Sequence, residues 1–167
     1  FVKRALAFDM NVYVYDPYVE KEKLKISGAI PVDNISENLP KMDAVTLHCP
    51  KNDETTDLFT KQEFDLMKKS SFIINCARGG ILNEQDLHEA LTNKKIAGAG
   101  LDVFDVEPTP SSNPLFKLNN VILSPHIAGV TVESTIRMAT ESVQNVLDVL
   151  DDKINQSVVV NNKEIGM

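Results

Sequence analysis

Ser71-Phe72-Ile73-Ile74-Asn75-Cys76-Ala77-Arg78-Gly79-Gly80 is an apolar run that closes on an arginine and two glycines. Apolar side chains at nearly every position of Ser71–Cys76 suit a strand covered by helices on both faces, whereas an antiparallel sheet with one wet face would alternate. Helical spacing follows over Glu84–Asn93, where Asn83 is placed to accept from free first-turn amides, and a second apolar run follows at Ile96–Phe104. Strand, helix and strand in that order call for a parallel pair with a crossover helix.

On either side of this segment, Asn11–Asp16, Ala44–Cys49 and Asn120–Ile127 also read as strands, and Lys61–Lys69 as a helix. Phe1–Met10 has the look of the second half of a helix. From about Thr131 to Leu150, Ile136, Ala139, Val143, Val146, Leu147 and Leu150 fall on one helical face, which is expected to bury against something. The expectation is an α/β fold of the Rossmann type, a parallel sheet with flanking helices, in which the chain supplies five strands but lacks the first strand and the glycine-rich turn.

Composition narrows the function. With 167 residues, 43% hydrophobic and 25% charged, the chain has room for one globular domain, and two would be crowded. A net charge of −7 with no run of cations beyond Lys68-Lys69 and Lys94-Lys95 speaks against nucleic acid. No apolar run reaches the roughly 18 residues that cross a bilayer, and no signal-peptide pattern opens the chain, so a cytoplasmic protein with no membrane partner is expected. Cys49 and Cys76 are expected to be free thiols.

In an open parallel sheet, functional groups gather past the carboxyl ends of the strands, and each predicted strand ends on polar chemistry. Asp16 could accept from both ribose hydroxyls of a dinucleotide or simply open the turn before Pro17. His48 and Cys49 follow Ala44, but neighbours in a strand point to opposite faces, and no metal site is expected. Arg78 could clamp a carboxylate or pair with a surface acid. Gly98-Ala99-Gly100 is no dinucleotide fingerprint, because Val103 stands where the third glycine belongs and the run lies inside a strand. Asp102 and Glu107 follow it, and His126 closes the last strand.

Asn75-Cys76-Ala77-Arg78-Gly79-Gly80, Gly98-Ala99-Gly100-Leu101-Asp102-Val103-Phe104 with Glu107-Pro108, and Ser124-Pro125-His126-Ile127-Ala128-Gly129 together resemble the D-2-hydroxyacid dehydrogenases. The likeness covers nearly the whole chain, including Lys3-Arg4-Ala5 with Ala7-Phe8 and Met10. It implies hydride transfer between NAD and C2 of a D-2-hydroxy or 2-keto acid. His126 matches the family's acid/base, Glu107 the carboxylate that orients this imidazole and stabilises its charge, and Arg78 the cation for the substrate carboxylate. For the cofactor, the resemblance assigns Asp16 to the ribose, Asp102 to the nicotinamide carboxamide, and Cys49, Pro50 and Thr55 to the adenosine side. Cys76, Ala77 and Arg78 would lie beside the nicotinamide with His126, and Ala128 and Gly129 would be close-approach positions.

The family's glycine-rich phosphate turn and substrate domain have no counterpart here and are expected upstream of Phe1. On that expectation residues 1–150 form a partial dinucleotide-binding domain and residues 151–167 a tail toward the substrate domain. Strands Asn11–Asp16 and Ser71–Cys76 would then lose a shared partner, so the chain alone would bind NAD weakly, turn nothing over and tend to oligomerise. Asn83-Glu84 replaces a more usual acid-rich helix start, and Asn52 stands where threonine is common. Within the family the motifs lean toward D-3-phosphoglycerate dehydrogenase-like enzymes, with a glyoxylate or hydroxypyruvate reductase as the alternative. A homodimer or higher oligomer is expected, and the rival of another class is a non-catalytic corepressor-like binding module.

Overall fold

The computed structural model describes residues 1–161. The chain divides into two compact units, Phe1–His126 and Ile127–Met167. The expected tail at 151–167 falls in the second unit, and its residues 162–167 lie outside the described part.

The first unit runs α1 (Val2–Leu6), β1 (Tyr13–Val14), α2 (Lys21–Ile26), β2 (Ile30–Pro31), β3 (Ala44–Leu47), α3 (Lys61–Leu66), β4 (Phe72–Asn75), α4 (Glu84–Thr92), β5 (Gly98–Leu101) and β6 (Val121–Leu123). All pairings are parallel: β1 with β2, and β3-β4-β5-β6 as a four-stranded sheet. The Rossmann-type parallel sheet with flanking helices is as expected, but six strands replace the predicted five. The addition is β2 with its preceding α2. Sequence periodicity passes over them because α2 buries no residue and β2 spans two residues, the second a proline.

The register settles which faces are covered. Val45, Ile73, Ala99 and Val121 stand side by side, as do Leu47, Asn75, Leu101 and Leu123. These rows face Phe64 of α3 and Leu87, Ala90 and Leu91 of α4, forming one cluster with Phe59, Ile81 and Ile96. On the opposite face Phe72 is 50% and Ile122 80% exposed, so the prediction of cover on both faces holds for only one of them among the described residues.

The open edge of the sheet also differs from the expected one. Ser71–Cys76 contains β4, which is paired on both sides by β3 and β5, so it loses no partner. The edge of the four-stranded sheet on that side belongs to β3.

Local signals explain the helix starts. Thr60 and Glu63 form a capping box at α3, and the Asn83 side chain accepts from Asp86 N–H at 3.1 Å to cap α4, as its position predicts. In the second unit α5 (Val132–Leu150) begins at a Thr131–Ser134 box. Its apolar face, expected to be buried, is instead exposed at Ile136, Val143, Val146, Leu147 and Leu150. Among the described residues no helix is long and apolar enough to cross a membrane.

Candidate active site

The strands are shorter than their apolar runs, so every predicted site residue of the first unit lies in a loop past a strand's carboxyl end. After β4 the loop is stapled from below. Asn75 is buried, its Nδ2 donating to the Arg78 carbonyl at 2.8 Å while its Oδ1 accepts from Ala77 N–H at 3.0 Å. Gly79 sits so tightly on the next loop that a Cβ there would stand 1.8 Å from the Phe104 carbonyl oxygen. Gly80 turns with φ +75°, a left-handed conformation that glycine adopts without penalty. These contacts fix the backbone of Arg78, whose exposed guanidinium donates to the Ala77 carbonyl at 2.6 Å.

Past β5 and β6, Glu107 and His126 meet. Glu107 Oε2 lies 2.7 Å from His126 Nδ1, while Oε1 accepts from Phe104 N–H at 2.9 Å. The His126 hydrogen bond first, and the Phe104 amide second, hold the Glu107 carboxyl below its usual range. With Nδ1 engaged, Nε2 is the imidazole atom left for chemistry. His126 has φ +55°, a left-handed backbone that costs a non-glycine residue energy and recurs at functional sites. A cavity of about 670 Å³ opens beside the pair, walled by Phe104, Phe116, Pro108 and Leu123. Phe104 and Phe116 meet edge to face with centroids 6.1 Å apart.

The predicted cofactor residues of the first unit follow strands of both sheets, Asp16 after β1 and the others after β3, β4, β5 and β6. Asp16 is exposed; its Oδ1 accepts from Tyr18 N–H at 2.9 Å, and no cation among the described residues pairs with it. Thr55 donates to the Pro50 carbonyl at 2.7 Å and accepts from Asn52 N–H at 2.8 Å, so its hydroxyl closes its own loop. Cys49 is half-buried and Cys76 exposed, both as free thiols, and desolvation pushes both upward. Ala77 offers a carbonyl already taken by Arg78. Asp102 is buried, with its Oδ1 accepting from Ser124 Oγ at 2.5 Å. Ala128 and Gly129 belong to the second unit, where Gly129 has open space around it and its carbonyl accepts from Ser134 Oγ. Among the described residues no three His, Cys, Asp or Glu side chains converge to hold a metal.

Sequence reasoning passed over Asn75, Ser124 and the Phe104 amide. Asn75 and Ser124 stand inside the motifs quoted above, so position flagged them, but only the fold shows what they bond.

A family model described as D-isomer specific 2-hydroxyacid dehydrogenase, NAD binding domain, matches residues 1–128. The D-3-phosphoglycerate dehydrogenase of Methanocaldococcus jannaschii is 42% identical over 158 residues, covering 95% of this chain and 30% of that protein. A glyoxylate reductase of Thermofilum pendens is 37% identical over 166 residues, covering 98% of this chain and 48% of that protein. Among solved structures, D-lactate dehydrogenase from Aquifex aeolicus, complexed with NAD and lactic acid, matches with a TM-score of 0.81 at 31% identity, covering 91% of this chain and 50% of that one. The chain thus spans about a third to a half of the proteins it resembles.

Proposed function

Because the chain belongs to the D-isomer specific 2-hydroxyacid dehydrogenase family through its NAD binding domain, we propose that it serves NAD-dependent interconversion of a D-2-hydroxy acid and its 2-keto acid. The observation that carries this reading is the 2.7 Å contact of His126 Nδ1 with Glu107 Oε2.

A carboxylate on Nδ1 orients the ring so that Nε2 can take the hydroxyl proton during oxidation or return it during reduction. Arg78 binds the substrate carboxylate through its exposed guanidinium and stabilises negative charge growing on the carbonyl oxygen. The bound nicotinamide supplies the hydride acceptor or donor. The residues fit that group at two points. Asp16 is an exposed carboxylate at a strand end, unpaired with any described cation and able to accept from ribose hydroxyls. Asp102 is a buried carboxylate that accepts from Ser124 Oγ and, on this reading, would also accept from the carboxamide nitrogen. Cys49, Pro50 and Thr55 would shape the adenosine side, Cys76 and Ala77 the nicotinamide side, and Ala128 and Gly129 a close approach after His126.

The substrate is a small 2-hydroxy or 2-keto acid, with 3-phosphoglycerate and its keto acid as the first choice and glyoxylate or hydroxypyruvate as the second. On this reading the working form is a homodimer or higher oligomer in the cytoplasm. NADH oxidation by the intact protein with 3-phosphohydroxypyruvate, hydroxypyruvate, glyoxylate and pyruvate tests it. Turnover is expected with at least one, and inertness toward all four would overturn the reading.

A further inference from the structure

Glu84 opens α4, where an acid would ordinarily serve the helix dipole. Its carboxylate is committed elsewhere. Asn83 caps the helix, while Glu84 Oε1 accepts from Asp105 N–H at 2.6 Å and Oε2 accepts from Asn113 Nδ2 at 3.0 Å. The side chain is partly buried, and its first bond spans 21 residues to the loop after β5.

The peptide group between Phe104 and Asp105 is what Glu84 holds. Its N–H goes to Glu84, and its carbonyl oxygen is the atom against which Gly79 packs without room for a Cβ. The preceding amide, Phe104 N–H, donates to Glu107 Oε1, and the other oxygen of Glu107 holds His126. Two successive amides therefore take two carboxylates, one from the helix that follows the Arg78 loop and one from the His126 pair. Rotation of this peptide would shift both the seat of Gly79, next to Arg78, and the donor that fixes Glu107.

We propose that Glu84 is a positioning residue that keeps the substrate-carboxylate arm at Arg78 in register with the proton-transfer arm at Glu107 and His126. The role rests on the dehydrogenase reading above. Glu84 touches neither substrate nor cofactor; it acts through the Phe104–Asp105 peptide.

Glu84→Ala should raise KM for the keto acid and lower kcat, together reducing kcat/KM by about 100-fold, the scale of a misplacement near 1 Å. NADH affinity should stay within about twofold when measured well below the melting temperature. Glu84→Gln should recover most of the loss, because its amide oxygen can still accept from Asp105 N–H. In a Glu107→Gln background the effect of Glu84→Ala should shrink, since residues acting through one network are not additive. Should Glu84→Ala not fold, Glu84→Asp, too short to reach both partners, takes its place with the same expectations. Amide exchange gives a readout independent of turnover: Phe104 and Asp105 should both lose protection in the Ala variant while β4 and β5 keep theirs. Unchanged kcat/KM in Glu84→Ala, equal damage in Glu84→Gln, full additivity with Glu107→Gln, or loss of protection at Asp105 without Phe104 would each overturn the proposal. Inertness of the unaltered protein toward every keto acid would instead overturn the dehydrogenase reading and leave the exchange result to decide the register.

Discussion

Gly79 and Phe104 are in backbone contact across two loops, so close that a side chain on the first would stand 1.8 Å from the carbonyl oxygen of the second. This contact joins the loop bearing Arg78 to the loop bearing Glu107. It ties the two arms of the site at the backbone, where neither side can yield by changing a rotamer.

Gly79→Ala should therefore act on both stability and substrate binding. A methyl forced against a backbone carbonyl makes the loops part, at a cost of about 1–3 kcal/mol by analogy with overpacked cores. Urea unfolding should show that loss, and KM for the keto acid should rise about tenfold or more as Arg78 moves. A variant with native stability and native KM would show that the loops are looser than this contact demands.

His126→Gln keeps a side chain of similar reach but cannot exchange a proton at Nε2. Turnover should fall by about 10²- to 10⁴-fold, the usual worth of a general acid/base. Titration with NADH should give unchanged binding. Near-native turnover in this variant would leave His126 a structural residue.

The Glu107 carboxyl is held below the ordinary glutamate value of about 4.3 by His126 first and the Phe104 amide second. A carboxyl lowered on folding adds stability that is fully present above its unfolded value and disappears as pH falls through its lower folded value. Acid unfolding followed by circular dichroism should thus lose this contribution below about pH 4, and Glu107→Gln should lose less over the same window. The effect is small because the pair is solvent-screened. Parallel acid limbs for the two proteins would contradict it.

Asp16 bears on cofactor choice. Its exposed carboxylate would accept from a 2′-hydroxyl but stand against a 2′-phosphate, so kcat/KM should favour NAD over NADP. Asp16→Ala should narrow the gap by weakening use of NAD and easing that of NADP. A protein that prefers NADP before any substitution would place Asp16 away from the ribose.

The parallel α/β class, four of the five predicted strands as members of one sheet, the Asn83 cap and the span of α5 can all be read from the residues. Each rests on short-range physics. Apolar runs bounded by turn residues, a side chain two or three residues from a free amide, and a 3.6-residue period are all readable within a window. The places of Arg78, Glu107 and His126 past strand ends were legible too, because strand ends are visible as the close of apolar runs.

Where each strand stops pairing, which faces are covered and what the loops bond to one another follow from contacts between distant segments. Asn120–Ile127 reads as one apolar run, yet pairing ends at Leu123, because β6 has a partner only as far as Leu101 of β5. β2 pairs with a single strand, β1, and nothing in its own two residues marks it as a strand. The bond from Glu84 to Asp105 crosses 21 residues, and the contact of Gly79 with Phe104 needs the β4–β5 register to bring two loops together. Such relations depend on the distance between chain segments in space, and local sequence pattern carries no measure of it.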